Sequence, residues 1–109
     1  MTLDEYQNGA AKTALYPNRG QNLTYTLFGL CGEAGELSDK MAKLIRDRGG
    51  VPDDKWRQEA VKELGDVLWF LSQTAFELGV SLEEVAEINL KKLGSRMERG
   101  VIQGSGDNR

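Results

Sequence analysis

Four carboxylates in this chain have the spacing that chemistry requires. Glu33 and Glu36 stand three residues apart, and so do Glu63 and Asp66. On a helix, neighbours at that spacing share a face. Two such helices lying side by side would bring four carboxylates together across one seam, where they repel unless a cation compensates. An all-oxygen donor set suits a hard divalent ion, Mg²⁺ or Mn²⁺, and Mg²⁺ prefers to share its shell with substrate phosphates. The chemistry indicated is metal-assisted attack of water on a phosphoanhydride. A solvated acidic face is the competing explanation. Two further acidic pairs, Glu36/Asp39 and Glu84/Glu87, have the same spacing.

Glycine bears on the choice. Gly29, Gly32 and Gly35 recur every third residue around the first pair, and Gly65 sits between Glu63 and Asp66. Each disfavours a helix interior by about 0.5–1 kcal/mol relative to Ala, within a total stability of roughly 5–15 kcal/mol. Room for a ligand beside the carboxylates would account for all four, and so would close helix packing.

Other chemistries are excluded by composition. The 109 residues, enough for one domain, contain no histidine and a single cysteine, Cys31. A Ser-His-Asp or Cys-His nucleophile, a His-ligated metal and a thiolate zinc site within one chain all fall away. Neither a G-x-x-x-x-G-K-[ST] nor a G-x-G-x-x-G phosphate loop is present. The net charge of −3 argues against nucleic acid as a partner. Without an apolar run of bilayer length or a signal-peptide pattern, no membrane association is expected. A lone cysteine fits a reducing cytoplasm.

The elements that must position these residues are helices. Apolar residues at alternating steps of three and four, including Leu27, Leu30, Leu37, Met41 and Leu44, then Ala60, Leu64, Val67, Leu71 and Ala75, predict two amphipathic helices. Thr2–Glu5 and Ser81–Glu84 have the capping-box form and open two more. The expected helices span about 3–15, 23–48, 54–78 and 82–97, with Gly49 and Gly79 as terminators. The fold class is therefore all-α and four-helix bundle-like: one domain over 1–99, then a polar, mobile tail over 100–109 expected to serve activity rather than folding.

Gly29-Leu30-Cys31-Gly32-Glu33-Ala34-Gly35-Glu36-Leu37, followed by Lys62-Glu63-Leu64-Gly65-Asp66-Val67-Leu68-Trp69-Phe70-Leu71, resembles the MazG family of nucleoside triphosphate pyrophosphohydrolases, in the all-α NTP pyrophosphatase superfamily. The family pattern is E-x-x-E, a spacer and E-x-x-D; here the spacer is residues 37–62, at the long end. The resemblance covers roughly residues 20–99, and short phage and bacterial members have endings similar to Arg99–Asp107. It implies Mg²⁺-dependent hydrolysis between the α and β phosphates, with Mn²⁺ as a substitute. Glu33, Glu36, Glu63 and Asp66 would be the metal ligands, one of them the base for water. It also implies a homodimer or homotetramer with the site near a subunit boundary. In one departure, Gly32 stands where many relatives carry an acid. Specialisation for phosphoribosyl-ATP, deoxyuridine triphosphate or alarmone nucleotides stays open, as does a non-catalytic nucleotide-binding or protein-interaction module.

Several other residues are candidates for substrate contact. Asn89, Lys92 and Arg96 form a polar stripe on the fourth helix, and the Asn and Lys resemble the family's phosphate contacts. Lys40, one turn beyond Glu36, could reach a phosphate or pair with Glu36. Trp69 could stack on a base or belong to the core; Phe70 is expected in the core and Trp56 in packing or an interface. Tyr6, Tyr16 and Tyr25 offer no basis for choosing among them. Cys31 is expected to be a small buried hydrophobe.

Overall fold

A computed structural model describes all 109 residues. Its helices are α1 (Leu3–Ala11), α2 (Leu23–Arg48), α3 (Asp54–Glu77) and α4 (Leu82–Glu98), with no strand. Local chemistry sets most of their ends. Thr2 and Glu5 make both bonds of a capping box, at 2.9 and 3.0 Å. At α4 only half of the expected box forms, with the Glu84 N–H donating to Ser81 Oγ at 3.0 Å. Gly49 ends α2 at φ 71°, in the left-handed region that favours glycine.

The first helix stops four residues short of the expected 15. The N–H groups of Lys12, Thr13 and Ala14 bond three residues back instead of four, tightening the chain into a turn. Tertiary contacts hold that turn. The Trp69 indole N–H donates to Thr13 Oγ1 at 2.9 Å, while the Thr13 hydroxyl donates to the Ala10 carbonyl. Beyond it Ala14 and Tyr16 are buried, and Tyr16 stacks on Tyr25 with ring centroids 4.9 Å apart.

The frame is the antiparallel α2–α3 hairpin, in which Gly29 meets Phe70 and Lys40 meets Glu59 and Glu63. Arg48 pairs with Asp53 across the connection, and Asp53 also caps α3 by accepting the Trp56 N–H at 2.8 Å. That bond, then Arg48, holds the Asp53 carboxyl below its ordinary range. The Gln7 amide ties the other elements together, donating to Ser72 O and accepting from the Leu82 N–H. It thereby fastens α1 to α3 and to the start of α4.

The four helices close only in part. α2 touches α3 alone, whereas α1, α3 and α4 all touch one another. The radius of gyration is 16.8 Å, against about 13 Å for a compact chain of 100 residues. Of the apolar residues expected inside, Leu44, Ala60 and Ala75 are buried, but Leu27, Met41 and Leu64 are exposed. Cys31, also expected inside, is exposed. A helix with a single neighbour cannot cover an apolar stripe wider than the contact.

The glycines separate into two kinds. A Cβ on Gly29 would lie 2.0 Å from the Phe70 ring, so this glycine exists for close packing. Gly32, Gly35 and Gly65 face open space, and packing within the chain does not explain them. We expect Gly29→Ala to destabilise the chain by about 1–3 kcal/mol through overpacking. Ala at 32, 35 or 65 should stabilise it by roughly 0.5–1 kcal/mol through helix propensity. Urea unfolding of the four variants in chelator checks the contrast; a neutral Gly29→Ala would remove the packing explanation.

Candidate metal centre

The α2–α3 register brings three of the four expected carboxylates together. Oxygens of Glu33, Glu36 and Glu63 all lie within 4.8 Å of one another. Glu33 and Glu63 are half-buried on the helix seam, and Glu36 is exposed at its edge. Asp66 stands outside this trio, yet it is close enough to act on Glu33. Burial pushes the Glu33 carboxyl above its ordinary range; Glu36, Asp66 and Glu63 push it further in the same direction. A crowded set of hard oxygen donors with one carboxyl already short of compensation fits a divalent cation.

An open cavity of about 360 Å³ adjoins the trio, lined by Gly35, Glu36, Asp39, Lys40, Lys43 and Glu63. The glycine leaves the cavity wall without a side chain. Lys40 does not pair with Glu36 on its own helix. Its Nζ reaches across the seam to Glu63 Oε1 at 3.6 Å and Glu59 Oε2 at 3.8 Å. Lys43 pairs with Asp39 at 2.7 Å. Glu59 and Lys43 escaped the sequence reading, and Asp39 entered it only as half of an acidic pair; the available signal was spacing, since Glu59 stands one turn before Glu63 and Lys43 one turn after Asp39.

The remaining candidates lie elsewhere. α4 makes no contact with α2, and none of Asn89, Lys92 and Arg96 lines this cavity. Asn89 borders a separate pocket that is otherwise apolar, between α1, α3 and α4. Arg96, expected on an open polar stripe, is buried. Its Nη2 donates to the carbonyls of Asp107 at 2.5 Å and Gly106 at 3.4 Å. Lys92 Nζ lies 3.7 Å from the Asp107 carboxylate. Residues 100–109 thus fold back onto α4, and Arg109 donates to the carbonyls of Val101, Ile102 and Gly106.

Trp69 sits in an aromatic cluster, its ring edge-on to Phe70 at 4.9 Å and to Tyr16 at 6.5 Å. Trp56 packs between the hairpin helices, its indole N–H donating to the Lys40 carbonyl at 3.4 Å. Of the three tyrosines, Tyr6 is the one beside the acidic seam: burial, then the Asp66 charge, raises its hydroxyl pKa.

Comparison with known proteins gives a consistent result. The model of the MazG nucleotide pyrophosphohydrolase domain matches residues 21–101. The gene 37 protein of Mycobacterium phage L5 is 48% identical over 114 aligned positions, covering 100% of both chains. The YvdC protein of Bacillus subtilis (strain 168) is 38% identical over 77 positions, which is 63% of this chain and 70% of YvdC. No solved structure matches the chain significantly.

The burial and crowding of Glu33 have a measurable consequence. Its pKa is raised on folding, so the folded chain binds its proton more tightly than the unfolded chain does. This contribution to stability therefore falls as pH rises from the ordinary value of 4.5 to the raised one. In chelator, Glu33→Gln should melt a few degrees above the wild type at pH 7, with the gap closing toward acid pH. Thermal melts of both proteins across that range check it. The difference between them isolates Glu33 from Glu83, which Asp4 raises in the same direction.

Proposed function

The chain belongs to the MazG nucleotide pyrophosphohydrolase domain family, and on that premise we propose that it is a Mg²⁺-dependent nucleoside triphosphate pyrophosphohydrolase. It cleaves the α–β phosphoanhydride to give a nucleoside monophosphate and pyrophosphate. The observation that carries this reading is the meeting of Glu33, Glu36 and Glu63 across the α2–α3 seam, in a chain that matches the family model over both carboxylate pairs.

In this mechanism Glu33, Glu36, Glu63 and Asp66 would hold Mg²⁺, with Mn²⁺ able to replace it. Bound there, the ion would lower the pKa of water and screen the charge of the phosphates. One of the four carboxylates takes the proton of the attacking water. Asn89, Lys92 and Lys40 receive the phosphate chain; Arg96 is left to the tail, because it is buried and its Nη2 is committed to the Asp107 and Gly106 carbonyls. Trp69 is left to packing, because its N–H is committed to Thr13 and its ring edge to Phe70 and Tyr16.

No residue of α4 lines the cavity beside the carboxylates, and α4 touches α3 but not α2 within one chain, so a second copy is the route by which α4 reaches them. The exposed apolar residues Ile88, Leu90, Leu93 and Met97 on α4, with Leu27, Phe28 and Leu64 on the hairpin, suit a homodimer or homotetramer. No helix is long and apolar enough to cross a membrane. The site thus lies near a subunit boundary, and the enzyme works on nucleotides in the cytoplasm.

The decisive experiment is a product assay on ribo- and deoxyribonucleoside triphosphates, phosphoribosyl-ATP and alarmone nucleotides, with Mg²⁺ or chelator. Monophosphate plus pyrophosphate, abolished by chelator, is expected. Glu63→Ala and Asp66→Ala should each lose about 100-fold or more, since even loss of a ligand's supporting partner brings 10–100-fold. Diphosphate plus orthophosphate would overturn the reaction, and full activity in both variants would overturn the site. Turnover of no nucleotide would favour the interaction module. Light scattering should give a multiple of the 12.1 kDa chain mass. The Leu90→Asp, Met97→Asp double variant should shift it toward one chain; an unchanged mass would place the interface elsewhere.

A further inference from the structure

Lys40 is the only cation in the chain within ion-pair distance of the carboxylate trio. It is held in an unusual way. Its Nζ stands 3.6 Å from Glu63 and 3.8 Å from Glu59, both longer than the 2.7–2.9 Å of a charge-assisted hydrogen bond. The ammonium is thus shared between two carboxylates and fastened by neither. Its main chain is fixed meanwhile, because the Trp56 indole donates to the Lys40 carbonyl. Only the flexible stem is free to move, and it moves at the wall of the cavity that Glu36 and Glu63 also line. Lys43, in the same wall, is tied to Asp39 at 2.7 Å and does not reach the trio.

We propose that Lys40 is a tethered counter-cation of the metal centre: it neutralises Glu63 while the divalent ion is away, and shifts to Glu59 and the cavity when the ion arrives. The inference rests on reading Glu63 as a metal ligand. Glu59 is the second half of the device, an acceptor that keeps the ammonium from opposing the incoming ion. Metal binding then has two effects on the chain's own groups. It releases the Glu63 carboxylate to the ion, and it turns a positive charge toward the space where a substrate phosphate lies. Lys40 is a positioning residue in this scheme, and its effect appears in metal affinity before any turnover.

The test is titration of the full chain with Mn²⁺ alone, followed by electron paramagnetic resonance, without nucleotide. Lys40→Gln should bind Mn²⁺ about three- to tenfold more tightly than the wild type. Lys40→Arg, which keeps the charge, should stay near wild type, and Lys43→Gln should change by less than about twofold. Glu59→Gln should weaken binding a few-fold, because Lys40 then has Glu63 alone. In the Lys40→Gln background that Glu59 effect should vanish. A mere change in local charge would leave the effect intact, which makes the double-mutant cycle decisive.

Unchanged or weaker Mn²⁺ binding in Lys40→Gln overturns the proposal, as does an equal Glu59 effect in both backgrounds. Failure of the metal centre itself reads differently. In that case the wild type does not bind Mn²⁺, or Glu63→Gln binds as well as wild type, and both readings fall together. Far-ultraviolet circular dichroism shows whether each variant keeps its helices. If Lys40→Gln does not, the Glu59→Gln and Lys40→Arg arms still decide the matter: no weakening in Glu59→Gln overturns the proposal.

Discussion

The ring of Phe70 lies against the backbone of Gly29, so close that a single methyl group on that glycine would collide with it. This contact sets both the separation and the register of α2 and α3. One turn along α2 comes Glu33, then Glu36 and Lys40; the antiparallel partner presents Asp66, Glu63 and Glu59 in the opposite order. The meeting of carboxylates across the seam is a consequence of that register. Sliding one helix by a turn would carry Glu63 away from Glu33 and Glu36.

Holding such a group together in the absence of metal is electrostatically unfavourable, and the chain shows how the strain is distributed. Glu33, inside the seam, has its pKa raised by burial first and by its carboxylate neighbours second. Glu63 is relieved by Lys40, and Glu36 stands at the solvent edge where water screens it. The open space at Gly32, Gly35 and Gly65 has a related meaning. Helix propensity is given up where no packing contact repays it, beside carboxylates that repel. Each feature alone is ordinary; their coincidence on one seam is what a binding centre requires.

Outside the hairpin the molecule is open. Seven apolar residues are buried in a chain of 109, while leucines, isoleucines and methionines on α2 and α4 stand in solvent. A core so small is weak support for an independent monomer. The tail adds local order without closing the gap. Arg96 and Arg109 satisfy tail carbonyls, drawing residues 100–109 onto α4 and burying a guanidinium expected to face outward. Of the cations expected to receive substrate, Lys92 and Arg96 therefore belong to a different surface of the same chain from the carboxylates, while Lys40 stands beside them.

The four helices, most of their ends and the two acidic pairs were legible in the sequence. Helical periodicity, glycine terminators and capping side chains act over three or four residues, and α2, α3 and α4 lie within a residue of their expected spans. The end of α1 was not legible, because the Trp69 indole holds Thr13 in a turn across a gap of 56 residues. Nor could spacing reveal that Gly29 serves Phe70 while Gly32, Gly35 and Gly65 serve no packing contact. The partners of Lys40, the separation of Asp66 from the trio and the burial of Arg96 were equally hidden. All of these depend on how whole helices and the tail dock. Local backbone energetics determine where a helix begins and which residues share its face; only the register between distant segments decides which charges meet.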